Sequence, residues 1–229
     1  MPNDPAIDFY RGEAGTRYHQ NKRGIPKAAL PWVARKRAEK ITPHVTPGDT
    51  VLEFGVGTGW NLAALKCARR LGHDVANFLA PDLSTQEVEF VEDTTTLQAN
   101  TVDVVLCHHT LEHLARPWGA LVEMKRLLRT DGTLLVFVPY EKERRYRTHR
   151  ADEPNHHLHS WNAQTLGNLV AVAGFNLQSV KLARFRYDRF ASHWAARLRL
   201  GETGYRFIRA LGNGINPEFE IQLAATAPD

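Results

Sequence analysis

The chain has 229 residues, 43% hydrophobic and 24% charged, enough apolar material for one packed domain and too much for a disordered or fibrous chain. Its longest purely apolar run is the five residues 134–138, against roughly 20 for a bilayer span, and the N-terminus shows no charged-then-apolar leader, so no membrane partner is expected. Cys67 and Cys107 form no CxxC pair and fit a reducing compartment, so the expected location is cytoplasmic.

The net charge of +4 is unevenly spread. Residues 1–40 carry nine basic and four acidic side chains and residues 181–210 carry eight and two, while seven of the eleven histidines fall between 108 and 159. Basic flanks around an acidic centre suit an anionic substrate or nucleic acid, or simply face water.

In chain order, a helix is predicted over 30–41, within an N-terminal cover that spans 1–47. A strand over 50–54 (TVLEF) runs into a glycine-rich turn and a helix over 61–71, which Gly72 would stop. Further strands are expected over 75–80, 88–92, 102–107 and 133–138, with a helix over 111–129 between the last two. A polar stretch follows, then a helix over 163–173 closed by Gly174, and strands over 177–182 and 219–224 that bracket a basic helical insert over 190–211. Strands alternating with helices make this an α/β chain with a parallel sheet. The whole reads as a single domain over 1–229, with a core at 48–182 and the insert and final strand at 183–229.

The turn VLEFGVGTGW puts Gly55, Gly57 and Gly59 after a strand and before a helix, where a nucleotide-like ligand sits in parallel α/β sheets. A dinucleotide pattern would need glycine at position 60, which is Trp60, so a nicotinamide cofactor is disfavoured. Glu53, at the end of the strand, suits a cationic ligand better than a pyrophosphate.

VLEFGVGTGWNLAAL resembles motif I of the class I S-adenosylmethionine-dependent methyltransferases, and the likeness continues through VEDTTTL, VDVVLCHHTLEHL and LLRTDGTLLVFVPY to Gly174 and Phe175, over roughly 48–180. That resemblance implies a Rossmann-like seven-stranded sheet with helices on both faces, and S-adenosyl-L-methionine as cofactor. It implies that Glu53, Gly55, Gly57 and Gly59 hold the methionine part, that Asp82 in LAPDLS binds the ribose hydroxyls, that Asp93 contacts the adenine amine, and that His108 lines the cofactor cleft. Only five residues separate Asp82 from Val88, so the helix between the second and third strands is expected to be missing or reduced to a turn. A cap or turn role for Asp82 is the plainer alternative.

His109, Glu112 and His113 are spaced i, i+3, i+4, which on a helix would put all three on one face. Such a cluster can act as a base with its orienting partner, hold a divalent metal, or simply pack. His157, four residues before Trp161, resembles the HxxxW element of the small-RNA terminal-ribose methyltransferases, whose ExxEH helix holds a metal. By that likeness His109, Glu112, His113 and His157 are the candidate metal ligands, with His109 replacing a carboxylate and shifting preference from Mg²⁺ toward Zn²⁺, Mn²⁺ or Fe²⁺. Without a metal, the candidate base is His109 or His113, then His157, with Glu112 orienting it. The basic loop 141–150 and the insert, with Tyr140, Tyr146, Trp161 and Trp194, would frame a substrate mouth for an anionic or aromatic molecule. By the family resemblance, Tyr18 and His19 would close over the cofactor as a lid.

The leading expectation is thus methyl transfer to a hydroxyl of a small-molecule acceptor. An RNA ribose methyltransferase is a second enzyme reading, and a cofactor-binding protein without catalysis is a reading from another class.

Overall fold

β1 (Thr50–Phe54) lies at the centre of a seven-stranded sheet because its residues are apolar on both sides: Val51 packs with one hydrophobic cluster and Leu52 with another. The computed structural model describes residues 7–22, 24–141, 148–150, 153 and 155–228. The same alternation runs through β4 (Val102–His108) and β5 (Leu128–Tyr140). Val105, Cys107, Leu134 and Val136 join the Leu52 side, and Val104, Leu106, Leu135 and Phe137 join the Val51 side. Near-continuous apolar strands of this kind need helices on both faces.

With β2 (Arg69–His73), β3 (Glu89–Val91), β6 (Asn176–Arg184) and β7 (Phe219–Thr226), the sheet order is β3-β2-β1-β4-β5-β7-β6, with β1 to β5 parallel and β7 antiparallel to both β5 and β6. One face carries α6 (Pro117–Leu127) and α7 (Ala163–Val172), whose Leu121, Met124, Leu166 and Val170 are fully buried. α7 begins with a capping box in which Asn162 Oδ1 accepts from Thr165 N and Thr165 Oγ1 accepts from Asn162 N. The other face carries α4 (Trp60–Ala63), α5 (Ala80–Ser84) and the residues just after α3 (Leu30–Ala38). α1 (Ile7–Tyr10) and α2 (Gly12–Lys22) precede them. The insert is two helices, α8 (Asp188–Arg197) and α9 (Gly201–Ile215), which pack on α3 through Val33, Ala191, Ala195 and Tyr205.

The first helix and second strand differ from expectation. The helix predicted over 61–71 is the single turn α4, and the second strand is β2 (Arg69–His73), not 75–80. The Ala- and Leu-rich run 62–71 has helical propensity, but parallel pairing with β1, Thr50↔Arg69 through Phe54↔His73, overrides it. Gly72 is no helix stop: a Cβ there would lie 2.9 Å from Val56 Cγ2 and 3.0 Å from Val88 Cγ1, so the glycine lets β2 nest between its neighbours. Arg69, which spoils the strand pattern, pairs with Glu89 of β3 (Glu89–Val91) at 2.8 Å. The helix expected to be missing or reduced to a turn between the second and third strands is the five-residue α5.

The helix predicted over 111–129 is also broken. His109 adopts φ +52°, residues 111–113 form one tight turn, and α6 starts only at Pro117, which supplies a fixed φ at the first helical position. The basic loop 141–150, with Tyr146, falls largely outside the described residues.

Candidate functional site

The carboxyl ends of β1, β2 and β4 open into a cavity of about 980 Å³. Its floor is the glycine turn. Gly55 sits at φ +80°, where a side chain is strained, and a Cβ would meet Thr110 Oγ1 at 2.2 Å. Gly57, at φ +52°, has nothing within 4 Å of a built Cβ, so its bare backbone faces open cavity. Gly59 does not line the cavity: it precedes α4 at φ +77° against Leu83.

Glu53 is 1% exposed. Its Oε1 accepts from Asn61 Nδ2 at 2.6 Å, and Oε2 has no hydrogen-bond partner among the described residues. Burial pushes its carboxyl up to about 8, although the Asn61 bond and Arg37 pull the other way. A buried carboxyl with one unmatched oxygen on a cavity wall fits a cationic group of a ligand, and Arg37 on the same wall fits an anionic one.

The sequence reading missed Asp74. It follows β2 directly, and Gly55 N and Val56 N both donate to the His73 carbonyl, which places Asp74 beside the glycine turn. Asp74 Oδ2 accepts from Gly57 N at 2.8 Å and Oδ1 from Ala76 N at 2.9 Å. Asp82 also lines the cavity, but from the first turn of α5, where it is exposed. The strand-end position given to Asp82 therefore belongs to Asp74. The usable signal was the aspartate two residues past Gly72, hidden once that glycine was read as a helix end. Asp93, two residues past the end of β3, is exposed, does not line the cavity, and caps the turn 94–96 through Thr95 N at 2.9 Å.

Past β4, the histidines divide. His108 is 8% exposed and lines the cavity, with Nε2 unpartnered among the described residues. Burial holds its pKa well below the usual value, so it is neutral. His109 stacks on His108 (centroids 4.6 Å apart) and packs on Phe185 (4.5 Å). Its Nε2 lies 3.2 Å from Glu220 Oε2, and Lys40 Nζ donates to both Glu220 oxygens at 2.6 and 2.7 Å. Glu220 is held down to about 2 by the Lys40 ammonium and His109, against its own burial. Burial pulls Lys40 down to about 8, with Glu220 opposing. An ionised Glu220 can only accept, which fixes His109 as the Nε2–H tautomer and leaves Nδ1 as the lone-pair nitrogen. Burial lowers the His109 pKa, and the Glu220 bond partly restores it.

Glu112, His113 and His157 form a second group, with one donor atom from each within 4.8 Å of the others. His113 Nδ1 lies 2.9 Å from Tyr10 Oη, and His157 Nδ1 lies 2.6 Å from Glu141 Oε1. Leu158 N and His159 N donate to the Glu112 carbonyl and pin this segment to the 111–113 turn. The expected four-ligand set is thus corrected: the left-handed backbone at His109 turns its Nε2 toward Glu220, with Nδ1 4.0 Å from Glu112 Oε1, so His109 groups with His108 and Glu220 while Glu112 groups with His113 and His157. Tyr10, Tyr18 and His19 also line the cavity.

A sequence profile described as a methyltransferase domain matches residues 17–180. No curated protein sequence matches the chain. Solved structures resemble it in fold. A methyltransferase of Haloferax volcanii, solved in complex with the Trm112 methyltransferase activator, is 18% identical with TM-score 0.64, covering 99% of both chains. A methyltransferase of Bacillus halodurans C-125 is 15% identical with TM-score 0.60, covering 85% of this chain and 99% of that one. Phosphoethanolamine N-methyltransferase 2 of Haemonchus contortus, in complex with S-adenosyl-L-methionine, is 16% identical with TM-score 0.59, over 86% of this chain and 53% of that one. Among the described residues no helix is long and apolar enough to cross a membrane.

Proposed function

Because the chain belongs to the methyltransferase domain family and is an S-adenosylmethionine-dependent methyltransferase, we propose that it methylates a hydroxyl of a small acceptor, with His109 as general base. The observation that carries this reading is the His109–Glu220 pair at 3.2 Å, on the wall of the cavity that also holds Glu53 and the glycine turn.

When bound, S-adenosylmethionine supplies a methyl group on a sulfonium, which the acceptor oxygen takes by in-line displacement. Glu53, Gly55 and Gly57 hold the methionine part, Asp74 the ribose hydroxyls, and neutral His108 lines the cleft. His109 Nδ1 takes the acceptor's proton while Glu220 steadies the imidazolium that results, and Lys40 keeps Glu220 ionised. Arg37, Arg189, Tyr10 and Phe185 on the cavity walls support an anionic or aromatic acceptor.

Glu53 makes cofactor binding pH-dependent. A carboxyl raised to about 8 is neutral in the empty site at pH 7, and an ammonium ligand favours its ionised form. Affinity for S-adenosylhomocysteine is expected to climb by up to about tenfold per pH unit between pH 6 and 8 and then level off, with Glu53→Gln flattening the slope. Calorimetric titration at five pH values reads this out, and an equal slope in the variant would show that another group is responsible.

The direct test of the proposed reaction is transfer of an isotopically labelled methyl from S-adenosylmethionine to a panel of phenols, sugars and hydroxy acids. A labelled ether product is expected, whereas tight cofactor binding with no transfer would favour a binding protein without catalysis. A metal at Glu112, His113 and His157 is the second reading, supported by their convergence. His109 stands outside that group with its Nε2 on Glu220, which leaves three protein ligands in place of the four expected. Incubation with a chelator is therefore expected to leave turnover within about twofold. Loss of turnover that Mg²⁺, Mn²⁺ or Zn²⁺ restores would replace the base mechanism with a metal-assisted one.

A further inference from the structure

The two helices of the insert leave their outward faces bare. α9 turns Thr203, Phe207, Ala210, Leu211, Gly214 and Ile215 to solvent, a face with no charged residue, and Phe207, Leu211 and Ile215 are 68%, 55% and 77% exposed. The helix's arginines do not interrupt it. Arg209 turns inward to buried Asp188 at 2.7 Å, and Arg206 pairs with Glu202 at 2.9 Å and with Glu39.

α8 presents two parallel rows at four-residue spacing. Phe190, Trp194 and Leu198 make an apolar row, and Arg189, His193 and Arg197 make a basic row beside it, all exposed. The apolar row joins the α9 face through Tyr187, whose ring is 6.4 Å from Phe190 and would lie 2.9 Å from a Cβ at Gly212. Arg199, in the turn between the helices, adds charge, and neither Arg197 nor Arg199 makes an ion pair among the described residues. The one acid in the α8 sequence, Asp188, is buried against Arg37 and Arg209.

An apolar face of aromatic and aliphatic side chains rimmed by arginine, with the neighbouring acids Glu39 and Glu202 taken up in ion pairs with Arg206, has the chemistry of a segment lying in the headgroup zone of a bilayer. The charge complement it asks for is anionic. Self-association would set one arginine row against its copy, a like-charge contact. We propose that α8 and α9 form a docking face for an anionic lipid surface, which the chain contacts without crossing. Arg189 belongs both to the basic row and to the cavity lining, and Phe185 lines the cavity just ahead of α8, so a docked chain holds its cavity mouth beside the lipid headgroups. The proposal stands whether or not the acceptor is a hydroxyl.

The test is co-sedimentation of the full chain with vesicles of phosphatidylcholine alone and of phosphatidylcholine with a quarter phosphatidylglycerol. Binding to the anionic vesicles is expected, at least about tenfold stronger than to the neutral ones and weakened by 0.5 M salt. Phe207→Ser with Leu211→Ser should abolish it, and Arg197→Glu with Arg199→Glu should weaken it by about fivefold or more per position. All four positions are exposed, so the variants should melt within a few degrees of the parent, and labelled methyl transfer checks that each is folded. Equal binding to neutral and anionic vesicles, or binding unchanged in the serine variant, would overturn the proposal. So would a dimer, seen by light scattering and lost in the serine variant, with no vesicle binding, because the face would then be occupied by a second copy or another protein.

Discussion

Asp74→Ala is expected to weaken S-adenosylhomocysteine binding by about 10- to 100-fold, while Asp82→Ala stays within about threefold. The two aspartates both line the cavity, but they stand on different elements. Asp74 follows β2 and is fixed by two backbone N–H groups, from Gly57 and Ala76, so its carboxylate is oriented before any ligand arrives. Asp82 is exposed in the first turn of α5. A carboxylate bonded to ligand hydroxyls contributes about 1.5–3 kcal/mol, which corresponds to the range given. Asp74→Asn separates charge from geometry, because an amide can still accept one bond. It should fall between the parent and the alanine variant. If Asp82→Ala is the more damaging change, the ribose assignment belongs to α5 and the reading of the β2 end is wrong.

His109→Ala is expected to lower kcat by about 10²- to 10⁴-fold with cofactor affinity unchanged within about threefold. His113→Ala should cost less, because its Nδ1 is engaged by Tyr10. Glu220→Gln adds a readout that a structural role would not move. An ionised Glu220 raises the His109 pKa, so its removal lowers that pKa and shifts the acid limb of the pH–rate profile to lower pH. The variant also leaves Lys40 buried without its counter-charge, at a cost of about 3–5 kcal/mol. Glu220→Gln combined with Lys40→Met removes that cost and should restore stability while keeping the shifted limb. A kcat loss in His109→Ala matched by an equal loss of cofactor affinity would assign the residue to binding instead.

The sheet was legible where apolar runs are long. Residues 50–54, 102–108 and 133–138 carry alternating contacts to both faces, and such runs read as buried parallel strands from sequence alone. β2 was not, because two arginines and a glycine occupy an edge-side strand whose partners are set by pairing rather than by hydrophobicity. That misplacement of β2 left Asp74 out of view as a candidate. The glycine turn was readable because positive φ is written in the residue type. The histidine cluster was not, since spacing of i, i+3, i+4 implies one face only if the backbone is helical, and His109 at φ +52° breaks that premise. Glu220 and Lys40 stand 111 and 69 residues from His109, and no local pattern connects them.

β7 enters the sheet between β5 and β6, and among the described residues β6 pairs with no other strand. During synthesis, β6 therefore waits for β7 until the chain has passed residue 219, and β7 then delivers Glu220 opposite Pro139 and within reach of His109. Closure of the sheet and completion of the His109–Glu220 pair are one event. A nascent or partly unfolded chain can hold the glycine turn and β1 to β4 while lacking the carboxylate that bonds His109.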